Sequence, residues 1–251
     1  MKALCDNPLM LTTWIVPCYN EESRWSTHYW ESIISESSCN WIFVDDGSSD
    51  DTYSKICELE GANVKSLRLN RNEGKSRALI SGFRIALDAE TKFVGFMDSD
   101  GAFQIEDILR IEHLANEKIQ LSSSFMVWGS RVALAGHDIV RTKSRHYLGR
   151  LIHTFLWWNK SSVIYDTQCG IKLFSRNDDL VQALEFTPRT KWFFDLELYM
   201  QIFEIQQRVP QVYEYPLQYW REVPGSKISF RKFFPILLEI FYVKRLIRRL
   251  D

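Results

Sequence analysis

The stretch Phe93-Val94-Gly95-Phe96-Met97-Asp98-Ser99-Asp100 decides the fold, because it joins an apolar run directly to two carboxylates. Five apolar residues followed by a polar turn are typical of a buried β-strand that ends at the turn. Asp98 and Asp100 stand two residues apart, so their side chains project in the same general direction. Carboxylate oxygens in this arrangement suit Mg²⁺ or Mn²⁺, which also binds waters and substrate phosphates. Alone, such a pair is a weak signal.

Short β-rich runs alternate with helical patterns on both sides of this stretch. Strands are predicted at Leu11–Val16, Trp41–Val44, Val64–Leu69, Phe93–Met97 and Phe125–Trp128. Helices are predicted between them at Glu22–Ser35, Asp51–Leu59, Lys75–Asp88 and Ile105–Glu117. This order predicts an α/β fold, with a Rossmann-like, mainly parallel sheet flanked by helices on both faces.

The second half of the chain is less regular and predicts an α-rich extension, with helices at Ser144–Trp158 and Phe194–Gln207. Residues 1–228 are predicted to form one domain, and residues 229–251 an amphipathic C-terminal helix. The middle of that helix, Phe233–Val243, is apolar except for Glu239 and is too short to span a bilayer. Basic residues at both ends favour a place in the membrane interface, and packing on the domain or in a dimer is the alternative.

Composition excludes several classes of protein. The net charge of −1 gives no electrostatic argument for nucleic-acid binding. The five cysteines form no C-x-x-C pair, so we expect no zinc site or disulfide framework, and a reducing compartment. Residues 1–14 lack the pattern of a signal peptide, and no apolar run reaches the ~18 residues of a transmembrane helix. We therefore expect a cytoplasmic protein, peripheral at the cytoplasmic face of a membrane.

Polar clusters follow three of the predicted strands, at 17–21, 45–48 and 98–101. The strands themselves are too apolar to face water, so these clusters gather at one edge of the sheet. Ligands of open α/β sheets bind at the carboxyl ends of the strands. The sequence therefore predicts a binding site at this edge.

Eight blocks of the sequence together resemble the inverting glycosyltransferases of family 2, which have the GT-A fold. In particular they are similar to the dolichyl- and polyprenyl-phosphate glucosyltransferases, over about residues 10–245. The blocks are Val16-Pro17-Cys18-Tyr19-Asn20-Glu21, Val44-Asp45-Asp46-Gly47-Ser48, Asn72-Glu73-Gly74-Lys75, Asp98-Ser99-Asp100-Gly101, Gly129-Ser130-Arg131, Asp166-Thr167-Gln168-Cys169-Gly170-Ile171-Lys172-Leu173-Phe174, Phe194-Asp195-Leu196-Glu197 and Pro224-Gly225-Ser226-Lys227.

The resemblance implies which residues bind the donor. Its nucleobase and ribose would be bound by Pro17, Tyr19, Glu21, Asp45 and Asp46. The alternative for Asp46 is a plain turn before a capped helix. Lys75, at the start of a helix, would reach the nucleotide or its diphosphate, and a solvated surface lysine is the alternative.

A metal ion bridging the diphosphate is implied at Asp98 and Asp100, as a Lewis acid for the departing group. Polyprenyl-phosphate sugar transferases often place a glutamine two residues after the second aspartate. Here Ala102 stands at that position, and Gln104 is the nearest substitute. The expected cofactor is Mg²⁺ or Mn²⁺.

The resemblance also assigns the acceptor side. Arg131 and Arg145 would bind the acceptor phosphate through planar guanidinium groups. Arg141 and Lys143 fit better as the basic face of a surface helix. Further substrate contacts are expected at Asp166, Gln168, Lys172, Ser226 and Lys227. Cys169 would not be a nucleophile, because inversion needs a single displacement.

Asp195 is the conditional catalytic base. A sugar hydroxyl must lose a proton as it attacks, so a carboxylate would help. A phosphate monoester, with a second pKa near ~6, is already largely dianionic at pH 7 and needs only positioning. With a lipid-phosphate acceptor, Asp195 would orient the sugar or a basic residue.

We thus predict an inverting glycosyltransferase that moves a hexose, glucose first, onto a polyprenyl phosphate. UDP-glucose is the expected donor and GDP-mannose the alternative. A sugar-hydroxyl acceptor is the second hypothesis, and a non-catalytic nucleotide-sugar-binding domain is the third. A Rossmann dehydrogenase is disfavoured, because no G-x-G-x-x-G follows the first strand.

Overall fold

A seven-stranded sheet forms the centre of the protein in the computed structural model, which describes residues 12–160, 164–223 and 233–250. The strands in chain order are β1 (Thr12–Cys18), β2 (Asn40–Asp45), β3 (Val64–Arg68), β4 (Phe93–Met97), β5 (Met126–Ser130), β6 (Asp138–Val140), β7 (Ile171–Ser175), β8 (Val212–Pro216) and β9 (Tyr219–Arg221). The main sheet has the order β3-β2-β1-β4-β7-β5-β8, and β6 pairs with β9 in a separate small sheet.

The register of the parallel strands brings the polar clusters together. β1 pairs with β2 on one side and with β4 on the other, and Cys18 at the end of β1 stands opposite Asp45 at the end of β2. The chain therefore leaves β1, β2 and β4 at the same edge of the sheet. This confirms the predicted mainly parallel sheet flanked by helices.

The second half of the chain contributes more to this sheet than the sequence predicted. β7 runs antiparallel between β4 and β5, and β8 lies parallel to β5 at the edge of the sheet. We predicted no strands in this region. The predicted α-rich extension therefore also contributes two strands to the sheet, and their pairing partners are distant in sequence.

The described part of the chain contains eight α-helices around the sheets. They are α1 (Thr27–Glu36), α2 (Thr52–Cys57), α3 (Lys75–Leu87), α4 (Ile105–Lys118), α5 (Lys143–Leu156), α6 (Asp178–Ala183), α7 (Phe194–Gln206) and α8 (Phe233–Ile247). A short 3₁₀ turn, Arg248–Leu250, follows α8.

The alternation of side chains along β1 divides the core into two layers. Trp14 and Val16 point to the layer covered by α1, α2 and α4. Ile15 points to the opposite layer, covered by α3 and α5 to α8. A strand buried on both faces explains why β1 reads as a nearly continuous apolar run.

The start of α1 is later than the sequence predicted. Ser26 is its N-cap, and its side chain accepts a hydrogen bond from the backbone N–H of Tyr29. The preceding residues are held outside the helix, because the backbone N–H of Glu21 donates to Oγ1 of Thr52 at 2.7 Å. The first loop of the edge is thus fastened to α2.

Helix α8 packs one face against the core of the domain. Ile240, Val243 and Ile247 are buried in the same layer as α3 and α7. Along 12–160, 164–223 and 233–250, none of the helices combines the length and the apolar character that crossing a membrane requires. The division at residues 228 and 229 lies in a range outside the described residues and stays a prediction.

Candidate active site

The loops after β1 and β2 are hydrogen-bonded to each other at the edge of the sheet. The backbone N–H of Asn20 donates to Oγ of Ser48 at 2.9 Å, and Oδ1 of Asn20 accepts from the backbone N–H of Ser49 at 2.9 Å. Pro17 and Tyr19 are half-buried on the first loop. These contacts fix one wall of a cleft before any ligand arrives.

Asp45 lies at the bottom of this wall and is fully buried. Its Oδ1 accepts a hydrogen bond from the backbone N–H of Ser48 at 3.1 Å. Nε of Arg68 lies 3.2 Å from Oδ2, but the alignment leaves that oxygen without a hydrogen bond. A buried carboxylate oxygen of this kind needs a donor, because leaving it unpaired costs about 1–3 kcal/mol or more.

An open cleft of about 350 Å³ lies beside Asp45, lined by Gly47, Ser48, Arg68, Leu69 and Asn70. Arg68, which the sequence analysis did not single out, covers the carboxylate and stacks over the ring of Tyr53 at 4.8 Å. Arg68 therefore separates the buried oxygen of Asp45 from the cleft, and the predicted contact of Asp45 with the donor stays a prediction.

Asp46 shapes the next loop. Its two oxygens accept from the backbone N–H groups of Glu73 and Gly74, both at 2.8 Å. Burial raises the pKa of Asp46 although these hydrogen bonds lower it. The carboxylate therefore closes the loop that leads into α3, and its predicted contact with the donor stays a prediction.

Lys75 begins α3 and reaches the acidic turn after β4. Its Nζ lies 2.5 Å from Oδ1 of Asp98. Burial alone would lower the pKa of Lys75, but the charge of Asp98 and the hydrogen bond between them raise it. The charges of Asp195 and Asp100 add to this effect. Lys75 is thus ion-paired at the acidic turn, and its predicted contact with the nucleotide or its diphosphate stays a prediction.

Asp98 and Asp100 repel each other at the end of β4. Burial, together with the charge of Asp98, raises the pKa of Asp100 to about 6. Two carboxylates held close together in this way fit a divalent cation, which would relieve the repulsion. The described residues hold no cluster of three or more His, Cys, Asp or Glu with metal-binding geometry.

The predicted substitute ligand Gln104 is the N-cap residue of α4, and its side chain is exposed. Ala102, at the usual glutamine position, is buried. A role of Gln104 toward a metal stays a prediction.

The loop before β7 holds Asp98 from the other side. The backbone N–H of Asp98 donates to the carbonyl of Gly170 at 2.9 Å. A Cβ atom on Gly170 would overlap the Asp98 carboxylate. Only glycine therefore fits here, and the D-T-Q-C-G motif joins the acidic turn to the residues that follow β5.

Two arginines share one aspartate beside this loop. Nε and NH2 of Arg131 donate to Oδ2 and Oδ1 of Asp166, both at 2.8 Å, and NH2 of Arg141 donates to Oδ2 at 2.8 Å. Both guanidinium groups lie over the ring of Trp220, at 5.1 and 5.8 Å. We call these four residues the arginine cluster. Two cations and one anion leave it with an excess positive charge.

Electrostatics in the arginine cluster favour the charged form of Asp166. Burial would raise the pKa of Asp166, but the charge of Arg131 lowers it overall, with a further contribution from Arg141. Asp166 in turn raises the pKa of Arg131 against the effect of burial. Burial and the charge of Arg131 lower the pKa of Arg141. Nε of Arg141 is buried without a hydrogen-bond partner, so one donor remains unused.

This cluster corrects one expectation. Arg141, expected on the basic face of a surface helix, lies before α5 and joins the site through Asp166. Asp166 is bound by two arginines, and its expected contact with substrate stays a prediction. Gln168 donates from its backbone N–H to Oδ1 of Asp166 at 3.3 Å. The side chains of 143–146 and all of 224–232 lie outside the description, so the predictions for Arg145, Ser226 and Lys227 stay predictions.

Lys172 is fully buried in β7, which contradicts its expected contact with substrate. Its Nζ donates to the carbonyls of Thr167 and Cys169, at 2.9 and 3.0 Å, and forms an ion pair with Asp195. All three donors are therefore used inside the protein. Lys172 thus fixes the D-T-Q-C-G loop and pairs with Asp195, whose expected role of orienting the sugar or a basic residue stays a prediction.

Cys169 lies between these groups and is 1% exposed. Burial raises the pKa of Cys169 to about 12. A thiol that stays protonated at neutral pH is a poor nucleophile, which agrees with the prediction that Cys169 forms no covalent intermediate.

Glu197 closes a last loop over α3, and the sequence analysis gave it no role. Its carboxylate accepts from the backbone N–H groups of Arg189 and Thr190. The carbonyl of Thr190 accepts from Oγ of Ser76 at 2.6 Å. The side chain of Lys191 in the same loop lies next to Gly74. The spacing of Asp195 and Glu197 was visible in the sequence, but the loop that Glu197 binds was not.

Comparison with protein families shows that residues 13–177 match the family described as Glycosyl transferase family 2. This range covers more than half of the chain. It includes the loops after β1, β2 and β4, the arginine cluster except Trp220, and all of β7.

Curated relatives match nearly the whole chain. A dolichyl-phosphate β-glucosyltransferase of Trichomonas vaginalis is 31% identical over 241 residues, covering 91% of this chain and 71% of the relative. The enzyme of the same description from Saccharomyces cerevisiae is 30% identical, with coverage of 86% and 68%. The one from Homo sapiens is 27% identical, with coverage of 91% and 72%.

Solved structures share the fold at lower identity. Glucosyl-3-phosphoglycerate synthase from Mycobacterium tuberculosis superposes with a TM-score of 0.56 and 16% identity, covering 94% of this chain and 76% of that chain. TarS from S. aureus gives a TM-score of 0.54 and 18% identity, with coverage of 92% and 39%. These neighbours confirm the predicted GT-A fold.

Proposed function

The chain belongs to glycosyltransferase family 2, and from that membership we propose that it transfers glucose from a nucleotide diphosphate to a polyprenyl phosphate, with inversion at the anomeric carbon. The curated relatives are named as β-glucosyltransferases acting on dolichyl phosphate, which supports glucose and a lipid phosphate. UDP-glucose is the donor to test first, and GDP-mannose is the alternative.

The observation that carries the proposal is the direct link between the acidic turn and the arginine cluster. Asp98 bonds the Gly170 backbone, and Asp166 in the same loop holds Arg131 and Arg141. A reaction between a donor diphosphate and an acceptor phosphate brings two anions together. Positive charge is therefore needed on both sides of the reacting carbon. The loop 166–170 connects the two sites that would provide it, the acidic turn and the arginine cluster.

At the donor end, Lys75 and the carboxylates of Asp98 and Asp100 would contact the diphosphate. A divalent ion, Mg²⁺ or Mn²⁺, bound by the two carboxylates would supply Lewis-acid stabilisation of the leaving diphosphate. The ammonium group of Lys75 would exchange its ion pair with Asp98 for one with a phosphate oxygen of the donor. Both groups would lie near the start of α3, where Lys75 is placed. The cleft beside Asp45 would take the nucleobase.

At the acceptor end, Arg131 and Arg141 would hold the phosphate. Guanidinium groups bind phosphate through paired hydrogen bonds, and both groups pack over the ring of Trp220. The phosphate oxygen would attack the anomeric carbon from the side opposite the leaving diphosphate. It needs no general base, because a phosphate monoester is largely dianionic at neutral pH. Asp195 would then not act as a base. Through its ion pair with Lys172 it would help to position the D-T-Q-C-G loop.

The acceptor also sets where the protein works. A polyprenyl phosphate keeps its chain in the bilayer and its phosphate at the surface, so the arginine cluster would have to approach the surface. We propose a peripheral protein at the cytoplasmic face of a membrane.

The test is a transfer assay with radiolabelled UDP-glucose and Mn²⁺. The protein receives a polyprenyl phosphate, the matching polyprenyl alcohol or a free sugar in separate reactions. Label extracted as an acid-labile glycolipid from the phosphate reaction alone supports the proposal. Transfer to the sugar alone would show a hydroxyl acceptor instead, and no transfer or donor hydrolysis in any reaction would contradict an enzymatic role.

A further inference from the structure

We propose that one apolar face, formed by α5 and α8, docks this protein on a lipid bilayer that carries anionic headgroups. The face consists of large apolar side chains that stay exposed, and we call it the α5–α8 face. Its exposed fractions are 70% for Tyr147, 69% for Leu151, 38% for Phe155, 64% for Trp158, 57% for Leu238 and 55% for Phe241.

The spacing of these residues makes the face continuous. Tyr147, Leu151 and Phe155 follow one another at intervals of four residues, which places them on one side of α5. Trp158 lies in the turn directly after the helix. Leu238 and Phe241 stand three residues apart on α8. The rings of Phe155 and Phe241 meet edge to face at 5.6 Å, so the two stripes join.

The face is not needed for the core of the domain, because each helix buries a different side. Leu156 on α5 and Val243 on α8 are fully buried in the core layer. The buried Lys244 donates from Nζ to the carbonyl of Leu156 at 2.9 Å, which fixes α8 on α5. Large contiguous apolar surfaces on a folded domain mark an interaction site.

Charge selects a membrane as the partner. The sequence of α5 contains no aspartate or glutamate. The single acid of α8, Glu239, turns to the loop before α7 and accepts from the backbone N–H of Trp192 at 3.1 Å. Arg245 and Arg248 are exposed at the end of the same helix. An apolar surface bordered by arginines and free of acids fits anionic headgroups.

The α5–α8 face and the arginine cluster are linked through the start of α5. Arg141 directly precedes Thr142, the N-cap of α5, and Thr142 is held by the carboxylate of Glu222 through hydrogen bonds of 3.0 and 2.6 Å. A face lying in the headgroup layer would therefore bring Arg141 to the level of lipid phosphates. This last step rests on the proposed function, whereas binding to the bilayer does not.

The experiment is cosedimentation with vesicles of phosphatidylcholine, with and without phosphatidylserine. The full chain should bind mixed vesicles more strongly than neutral ones. Leu151→Glu combined with Trp158→Glu should weaken binding to mixed vesicles at least about tenfold, because two large apolar groups lose their contact with the bilayer. Arg245→Ala with Arg248→Ala should remove most of the preference for phosphatidylserine, by about fivefold for each arginine.

Leu121→Glu is the matched control. Leu121 follows α4, away from this face, and is 74% exposed, so its variant should bind vesicles like the unmodified chain. Unchanged melting temperature and unchanged stabilisation by UDP-glucose with Mn²⁺ would show that the face variants fold and keep the donor site. That readout separates failure of docking from failure of the proposed function.

Two results would overturn the inference. One is equal vesicle binding by the unmodified chain and the Leu151→Glu, Trp158→Glu variant. The other is no vesicle binding together with a dimer in solution that the same variant dissociates, which would assign the face to a second copy of the chain.

Discussion

The carbonyl of Gly170 and the backbone N–H of Asp98 are joined by a 2.9 Å hydrogen bond, and no Cβ atom fits on Gly170 beside the Asp98 carboxylate. The loop before β7 is thus packed against the acidic turn after β4. This contact is the point where the two halves of the chain meet in the site.

Gly170→Ala should reduce kcat/KM for the donor about 100-fold or more, because an added methyl group displaces the Asp98 carboxylate. Gly149→Ala is the control, since a Cβ atom on Gly149 in α5 meets nothing within 4 Å. That variant should keep full activity and gain about 0.5–1 kcal/mol of stability. Steady-state kinetics and thermal unfolding of both variants check this, and full activity of Gly170→Ala would contradict the assigned contact.

Asp100 should make both stability and metal binding depend on pH. Its folded-state pKa of about 6 lies above the ordinary value of 3.8. The folded protein therefore binds this proton more tightly, and the stability gained from it is complete below pH 3.8 and is lost as the pH rises through about 6. A metal needs the deprotonated form, so stabilisation by Mn²⁺ should increase over the same rise.

Asp100→Asn tests both effects. The variant should lose this part of the pH dependence of the melting temperature, and at pH 7.5 without metal it should unfold no earlier than the unmodified chain. Its stabilisation by Mn²⁺ and UDP-glucose should be absent at every pH. Thermal unfolding between pH 5 and 8 measures both effects. If Mn²⁺ still stabilises the Asp100→Asn variant, Asp100 is not a metal ligand.

Arg141→Ala should raise the KM for a polyprenyl-phosphate acceptor about 10- to 100-fold, because a charged hydrogen bond is worth about 1.5–3 kcal/mol. The affinity for the donor should not change. Arg141→Lys should recover only part of the loss, since an ammonium group cannot bind phosphate in a bidentate manner.

Arg221→Ala is the control for Arg141, because Arg221 pairs with Asp138 on the surface next to Trp220 and outside the arginine cluster. Initial rates measured at a fixed donor concentration and varied acceptor concentrations give the KM of each variant for the acceptor. Only Arg141→Ala should raise it. An equal effect of both, or an effect of Arg141→Ala on the donor alone, would count against phosphate binding by Arg141.

Lys172→Met should destabilise the protein by about 3–5 kcal/mol, because Asp195 would remain buried without its partner. Adding Asp195→Asn should restore part of this stability. The double variant should therefore lose less stability than the sum of the losses in the two single variants. Urea unfolding of the single and double variants measures the coupling. The double variant should still transfer glucose to a polyprenyl phosphate, since that acceptor needs no base, and complete loss of turnover in a folded double variant would favour a hydroxyl acceptor.

Much of the first half of the fold was predictable from the sequence because its signals are local. The apolar runs of β1, β2, β4 and β5 are buried on both faces, and β1, β2 and β4 each end at a polar turn. The parallel order of these strands then places Asp45, Asp98 and Lys75 at one edge without further information.

The second half was less predictable because its contacts are not local. No strand was predicted at Ile171–Ser175, and its pairing with β4 and β5 makes it one. Burial in that strand changes the role of Lys172 from a phosphate contact to an internal ion pair. Likewise, nothing near Arg141 in the sequence shows that it shares Asp166 with Arg131.

The sequence by itself determined the family, the edge of the sheet that forms the site, and the acidic turn at Asp98 and Asp100. Residue type and spacing along one strand are enough for these, because neighbouring residues on a strand have fixed relative directions. The tertiary structure alone decided which charges meet: Lys172 with Asp195, Arg141 with Asp166, and α5 with α8 in one exposed apolar face. These pairs are far apart in the chain, and their partners are chosen by packing and by the need to pair every buried charge.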